Sequence, residues 1–477
     1  GSEMCIRDSC HRLPQRWGMV PTTMPKEGPT VASETQLVRE EHSLGRAALN
    51  TLKGCLGNLV EWYDVYIYTV FATYFQNQFF SPEDKNSRIY VYVVFAITFL
   101  MRPLGSWFFG RWADRHGRRS ALTFSVLVMA FASLVVAVLP SRTQIGIWAA
   151  VLLIVCRIVQ GFATGGEYGT SATYMSEAAV RHRRGFLSSF QYVTLVGGQV
   201  IAQAVLLIET ATMSDDHIAT WGWRIAFGIG GLAAVVVLWM RRTMDESLTE
   251  EHLENIRSGL DRDSGTMRAL LVQHWQPLLL VFLISMGGTV CFYTYSVNAP
   301  AIVKSTFKEE AMTATTINLI ALIILMFLQP VAGFISDKIG RKPLLVFFGV
   351  GAMCYTWVLI TFLPKTTNPL GAFGLLLVGY IILTGYTSIN ALVKSELFPA
   401  KVRALGVGLG YGLANSCFGG TAPLIYEAIK EHGKVTWFIV YVTALTFIST
   451  LIYVFGLKNK TATHLDHEQG HAWAHNE

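Results

Sequence analysis

Twelve apolar runs of about 20 residues or more dominate this chain, each long enough to cross a ~30 Å hydrocarbon core as a helix. They fall at roughly 50–76, 89–110, 120–140, 147–175, 186–208, 222–240, 275–299, 313–334, 343–363, 370–393, 404–428 and 436–457. Lipid offers no hydrogen bonds, so a spanning segment must satisfy its own backbone, and a helix does so within one segment. Only 15% of the residues are charged, where an ordinary soluble chain has about 25%. The sequence therefore predicts an all-α polytopic membrane protein with twelve transmembrane helices. The net charge of +6 does not argue for nucleic acid, because in a membrane protein the distribution of Lys and Arg among loops matters more than their sum.

A polar, charged segment at 241–273 divides the runs six and six. The expected organisation is a leader at 1–45, a six-helix bundle at 46–240, the linker, a second bundle at 274–457 and a tail at 458–477. The loops that share a side with the linker carry 18 Lys and Arg, and the opposite loops carry 8. The positive-inside rule then places the linker and both termini in the cytoplasm. The leader has no apolar signal region. GSEMCIRDSCHRLPQRWG reads as adapter read-through, with Met19 or Met24 as the expected native start. Cys55, Cys156, Cys291, Cys354 and Cys417 lie in apolar runs and read as small buried hydrophobes. Cys5 and Cys10 lie in the leader, and no metal-ligand spacing is present.

The two halves repeat one another. GRWADRHGRR at 110–119 recurs as GFISDKIGRK at 333–342, so that Gly110, Asp114, Gly117 and Arg118 match Gly333, Asp337, Gly340 and Arg341 at an offset of 223. Glu177 with Arg184 matches Glu396 with Arg403 at an offset of 219. Parallel six-span repeats are a transporter architecture, with the site between the halves near the midplane.

These residues resemble the signature of the major facilitator superfamily. GNLVEWYDVYIYTVF (57–71), FLMRPLGSWFFGRWADRHGRR (99–119) and WGWRIAF (221–227) are similar to the metabolite–proton symporter family within it. RIVQGFATGGEYGTSATYMSEAAVRHRRGFLSSFQYVTLVGGQ (157–199) and SELFPAKVRALGVGLGYGLANSCFGG (395–420) most resemble the branch of that family that takes up α-ketoglutarate. The resemblance covers nearly all of 50–457, with Tyr63 and Val65 standing where that branch tends to have Phe. It implies two six-helix bundles that carry a small dicarboxylate with protons across the bacterial inner membrane. It also implies a monomer driven by the proton gradient, with no cofactor. Citrate, shikimate and betaine are the alternative substrates. In the superfamily the aspartate and arginine of the repeated turn brace the cytoplasmic contact between the halves. A helix N-terminus of the facing bundle would attract Asp114. The expected gating set is Asp114, Arg115, Gly117, Arg118, Arg224, Asp337, Gly340, Arg341, Glu177, Arg184, Glu396 and Arg403.

Ionisable residues inside spans are costly, so they mark function or pair with one another. Glu61 and Asp64 share a helix face. Two close carboxylates disfavour double ionisation, which suits a proton carrier, though both could also serve helix packing. Glu167 is a further candidate for proton coupling. A guanidinium forks onto a carboxylate, so Arg102 and Arg157 are candidate substrate ligands, with internal pairing of Arg157 as the alternative. Gln160 shares a face with Arg157. Tyr66, Gln191, Tyr192, Gln199, Tyr293 and Tyr295 are candidate lining residues, while Gly161, Gly165 and Gly169 read as a packing face. Arg224, at the start of the sixth span, is expected to pair or capture anions on the opposite side. The tail histidines His464, His467, His471 and His475 read as a solvated segment in preference to a metal site.

The chain has no phosphate loop, nucleophile triad or zincin motif, so an enzyme is not expected. An exchanger is the nearest alternative, but TLVGGQ in the fifth span lacks the proline of the G-P-x-x-G-G element that many exchangers carry. A sensor would need an output domain, and a linker of about 30 residues and a tail of about 20 are too short for one.

Overall fold

The computed structural model describes residues 32–81, 87–248, 250–307, 311–461 and 463–469. Cys5, Cys10, His471, His475 and the leader before residue 32 lie outside them. From Leu44 onward the chain forms one compact unit.

Among the described residues, ten helices are long and apolar enough to cross a membrane: Val93–His116, Arg118–Val138, Trp148–Ala178, Arg184–Thr212, Asp215–Arg241, Trp275–Thr306, Met312–Ile339, Arg341–Lys365, Pro369–Glu396 and Val435–Gly456. Two more complete the twelve. The first span lies in the helix Ala32–Phe79, whose Asn50, Asn58, Glu61 and Asp64 dilute its apolar character. The eleventh begins as Arg403–Ala414, loosens over Asn415–Gly419 and resumes as Ala422–Glu431, so no single piece is long enough to span.

Similar interruptions occur in other spans. The second breaks at Met101, ahead of Pro103, which has no N–H to continue the ladder. The seventh widens at Thr294–Asn298, and the tenth breaks between Thr387 and Asn390. The repeated turns owe their glycines to backbone conformation. Gly117 and Gly340 both hold φ at +96°, a region that side chains other than glycine's rarely adopt.

The second and fourth spans touch backbone to backbone. A Cβ on Gly105 would meet the backbone of Phe162, one on Gly161 that of Thr98, and one on Gly165 that of Arg102. Small residues allow this approach where lipid supplies no hydrophobic drive between helices. Across the two halves, the second span packs on the eleventh and the fifth on the eighth.

Two expectations change. Cys354 and Cys417 are exposed, because they face outward from their helices. The tail is docked in part: the helix His464–Gln469 buries Leu465 and Asp466.

Replacing Gly165 by Ala should lower the unfolding temperature of the detergent-solubilised protein, since overpacking costs about 1–3 kcal/mol. Gly228→Ala, where an added Cβ meets nothing within 4 Å, should not.

Candidate functional site

The repeated turns place two carboxylates at helix ends of the opposite half. Asp114 accepts hydrogen bonds from the backbone N–H groups of Ala404 (3.0 Å) and Leu405 (2.9 Å), in the first turn of the eleventh span. Asp337 accepts from Gly185 (2.7 Å) and Phe186 (2.9 Å), at the start of the fifth. A helix N-terminus leaves its first N–H groups unpaired and carries positive partial charge, so a carboxylate there satisfies both.

Arginines extend each cap. Arg118 pairs with Asp114, and Arg341 with Asp337 at 2.9 Å. Arg118 also reaches Glu177 (3.1 Å) and the Ala400 carbonyl (2.9 Å). Arg403 bonds the same Glu177 carboxylate at 2.8 Å, and Glu396 lies 3.7 Å from Arg341. The docked tail supplies the remaining partners, Asp466 to Arg184 and Glu468 to Arg403, each at 2.6 Å. The linker side of the interface is therefore closed by polar bridges between the halves. Arg115 is outside this brace and donates to the Ser264 carbonyl at 2.8 Å. Arg224 stands on the opposite side, stacked 4.1 Å from the ring centre of Trp223, with no ion pair among the described residues.

A second network lies inside the first half. Asp64 accepts from Ser133 (2.6 Å) and Gln160 (2.7 Å), and Arg157 donates to Gln160 (2.8 Å) while lying 3.6 Å from Asp64. Glu167 accepts from Ser125 (2.6 Å) and takes both terminal nitrogens of Arg241, one of them at 3.1 Å. Gly57 makes room for that arginine, since a Cβ there would collide with the guanidinium. Gln191 bonds Ser171 (3.0 Å) and Asn58 (3.3 Å). Arg157, Gln160 and Gln191, expected as substrate ligands, and Asp64 and Glu167, expected as proton carriers, thus have partners within the bundle. The physical reason is that a buried charge loses several kcal/mol of solvation, which a close partner offsets.

Eight Lys and Arg side chains are buried among the described residues. Arg118, Arg157, Arg184, Arg241, Arg341 and Arg403 each pair with a carboxylate. Arg102 and Lys394 are the two that do not. Arg102 stacks on Phe99 (3.8 Å) and Trp62 (5.0 Å), and its Nε and Nη2 have no hydrogen-bond partner among the described residues. Glu61, Tyr66 and Tyr293 interact with it electrostatically. Both Glu61 oxygens and the Tyr66 hydroxyl likewise find no described hydrogen-bond partner, and the Tyr293 hydroxyl lies beside Arg102 and Asn415. Unmet buried polar atoms are uncommon. A cluster of them between two halves is what a polar ligand would complete.

Lys394 lies to the linker side of this cluster. It donates to Asn390 (2.7 Å) and the Tyr168 hydroxyl (3.2 Å), and its Nζ is 4.0 Å from the Tyr411 ring centre. Sequence reasoning misses it, because it falls one residue past the tenth apolar run; the available signal is Asn390, one helical turn earlier on the same face. Arg241 reads in sequence only as a loop charge. On the other side, a cavity of about 240 Å³ leads to Tyr66 past Gln199, Gln203, Ser296 and Lys304. Gln199 bridges the halves there, donating to the Ser296 carbonyl at 3.0 Å. Tyr192 packs on Phe292 at 5.8 Å, and Tyr295 bonds Thr356 at 2.9 Å within the second half.

Comparison with known proteins places these features in context. Residues 51–468 match the sugar (and other) transporter family. The chain is 42% identical over 397 residues to the alpha-ketoglutarate permease of Escherichia coli K12, covering 83% of this chain and 90% of that protein. It is 31% identical over 406 residues to the citrate-proton symporter of Klebsiella pneumoniae, covering 84% and 90%. The solved proton:xylose symporter of the major facilitator superfamily superposes with a TM-score of 0.74 at 20% identity, covering 89% of this chain and 99% of that one.

Replacing Asp114 by Ala should speed hydrogen exchange at the Ala404 and Leu405 amides by about tenfold or more, since hydrogen bonds to a charged group contribute roughly 1.5–3 kcal/mol. Asp337→Ala should do the same at Gly185 and Phe186, and exchange mass spectrometry resolves both segments. Unchanged exchange in both variants would show that the caps do not hold the halves together.

Proposed function

Because the chain belongs to the sugar (and other) transporter family, we propose that it carries α-ketoglutarate into the cell together with protons, by alternating access. Bundles 46–240 and 274–457 rock about a site between them, in the bacterial inner membrane, with both termini in the cytoplasm. The observation that carries this reading is Arg102. It is buried, has no ion pair with a carboxylate among the described residues, and stands beside Glu61, Tyr66 and Tyr293 where the halves meet. Its fork suits one carboxylate of the substrate. The likeness to the E. coli permease favours α-ketoglutarate over citrate, which the lower identity to the Klebsiella symporter keeps as the second reading.

Glu61 takes the proton. Asp64 and Glu167 would have to break their bonds to Arg157 or Arg241 to titrate, whereas Glu61 is bound to no described side chain and sits in the field of Arg102. The brace of Asp114, Gly117, Arg118, Glu177 and Arg403, with its repeat in Asp337, Gly340, Arg341, Glu396 and Arg184, closes the cytoplasmic gate while the opposite cavity admits substrate. Opening inward breaks these bonds, and closing the cavity over Tyr66 replaces them.

Protein reconstituted in liposomes should accumulate α-ketoglutarate when the outside is made acidic, and excess citrate, shikimate or betaine should compete weakly. Accumulation indifferent to the gradient would overturn symport, and preference for citrate would favour the second reading. Glu61→Gln should abolish gradient-driven accumulation yet leave exchange of internal for external α-ketoglutarate within about threefold of the parent, because exchange needs no net proton movement.

A further inference from the structure

The two buried cations that lack a carboxylate come one from each half: Arg102 from the second span and Lys394 from the tenth. Building on the carboxylate-transport reading, we propose that Lys394 binds the second carboxylate of the substrate and sets the preference for dicarboxylates over monocarboxylates.

Lys394 is fully buried, with two of its three N–H donors engaged by neutral oxygens of Asn390 and Tyr168. Three tyrosine rings surround the ammonium, with centres at 4.0 Å (Tyr411), 5.3 Å (Tyr168) and 5.6 Å (Tyr386). Ring faces and neutral oxygens soften the loss of water around a cation but do not cancel its charge. No carboxylate among the described residues comes within ion-pair reach, which leaves the ammonium free to take an anion that binds.

Arg102 and Lys394 address the same space. Tyr411 is their shared neighbour, packed on Lys394 and within the electrostatic reach of Arg102. Near it lie the hydroxyls of Tyr293 and Tyr386, the latter beside Ser285 and Thr289. A forked guanidinium at one end and a compact ammonium at the other match a short chain with a carboxylate at each end. With Glu61 protonated the two cations carry two positive charges, which a dianion neutralises. A monocarboxylate would leave Lys394 uncompensated, and that penalty is the basis of discrimination.

Lys394 also bridges the halves through Tyr168, so a purely structural role must be separated from binding. A structural role would alter handling of all substrates alike. The test therefore uses the ratio between α-ketoglutarate and 2-oxovalerate, the same five-carbon 2-oxo acid with a methyl group in place of the distal carboxylate. Inhibition constants for uptake of labelled α-ketoglutarate and ligand-induced thermal stabilisation of the purified full chain give the ratio. Wild type should favour α-ketoglutarate by roughly tenfold or more, the scale of one charge-assisted hydrogen bond. Lys394→Gln should lose most of that preference through weaker α-ketoglutarate binding, with 2-oxovalerate changed by less than about threefold. Lys394→Met, which leaves no unpaired donor, reads the same ratio if the Gln variant is unstable. A folded variant that keeps the wild-type ratio overturns the proposal, as does a wild type that binds the two acids equally. Wild type that binds neither acid sinks the carboxylate reading itself, and this assignment with it.

Discussion

Taking a charge out of water is the constraint from which the rest of this structure follows. An ion inside a low-dielectric interior loses several kcal/mol of solvation, even after the protein relaxes around it. The described residues nevertheless include eight buried cationic side chains. Six are returned to balance by carboxylates, and each pairing fixes the position of two helices at once: Arg241 with Glu167 ties the sixth span to the fourth, and Arg157 with Asp64 ties the fourth to the first. Even Gly57 is explained by this requirement, since the Arg241 guanidinium needs the space that a β-carbon would fill. Arg102 and Lys394 have no such ion pair among the described residues.

The brace on the linker side applies the same principle with helix ends. Asp114 and Asp337 each meet a pair of backbone N–H groups in the other half, and each is steadied by the arginine four residues on. Bonds of this kind join the halves without committing them, because N–H groups at a helix start can be satisfied by water once exposed. The duplicated geometry shares the closing force between two seams, so neither has to be strong.

The twelve spans and the brace were legible in the sequence for physical reasons. Hydrophobic runs must match bilayer thickness, and a turn that needs glycine at φ +96° beside an aspartate and an arginine leaves a fixed spacing in both halves. Partner choice inside the bundle was not legible. Glu61 and Asp64 are three residues apart, about 60° around a helix. That difference turns Asp64 toward Ser133 and Gln160 and leaves Glu61 in the combined field of Glu167, Arg102 and Arg241, with no hydrogen-bond partner among the described residues. Arg102 and Arg157 look equivalent as lone arginines in apolar runs, and only packing shows that one has an anion and the other does not. The tail was legible least of all: six residues without periodicity give no hint that Asp466 and Glu468 reach Arg184 and Arg403.

The interrupted spans have a mechanical consequence. The second, seventh, tenth and eleventh are each two short rods with a joint partway along, at Met101, Thr294–Asn298, Ser388–Ile389 and Asn415–Gly419. The third, fourth and ninth run unbroken through Arg118–Val138, Trp148–Ala178 and Arg341–Phe362. A joint partway along lets one end of a rod swing while the other stays packed, so a small movement at the centre is enough to shift a whole helix end. The stiff members then act as the frame against which the jointed ones pivot, and the breaks decide where the molecule bends.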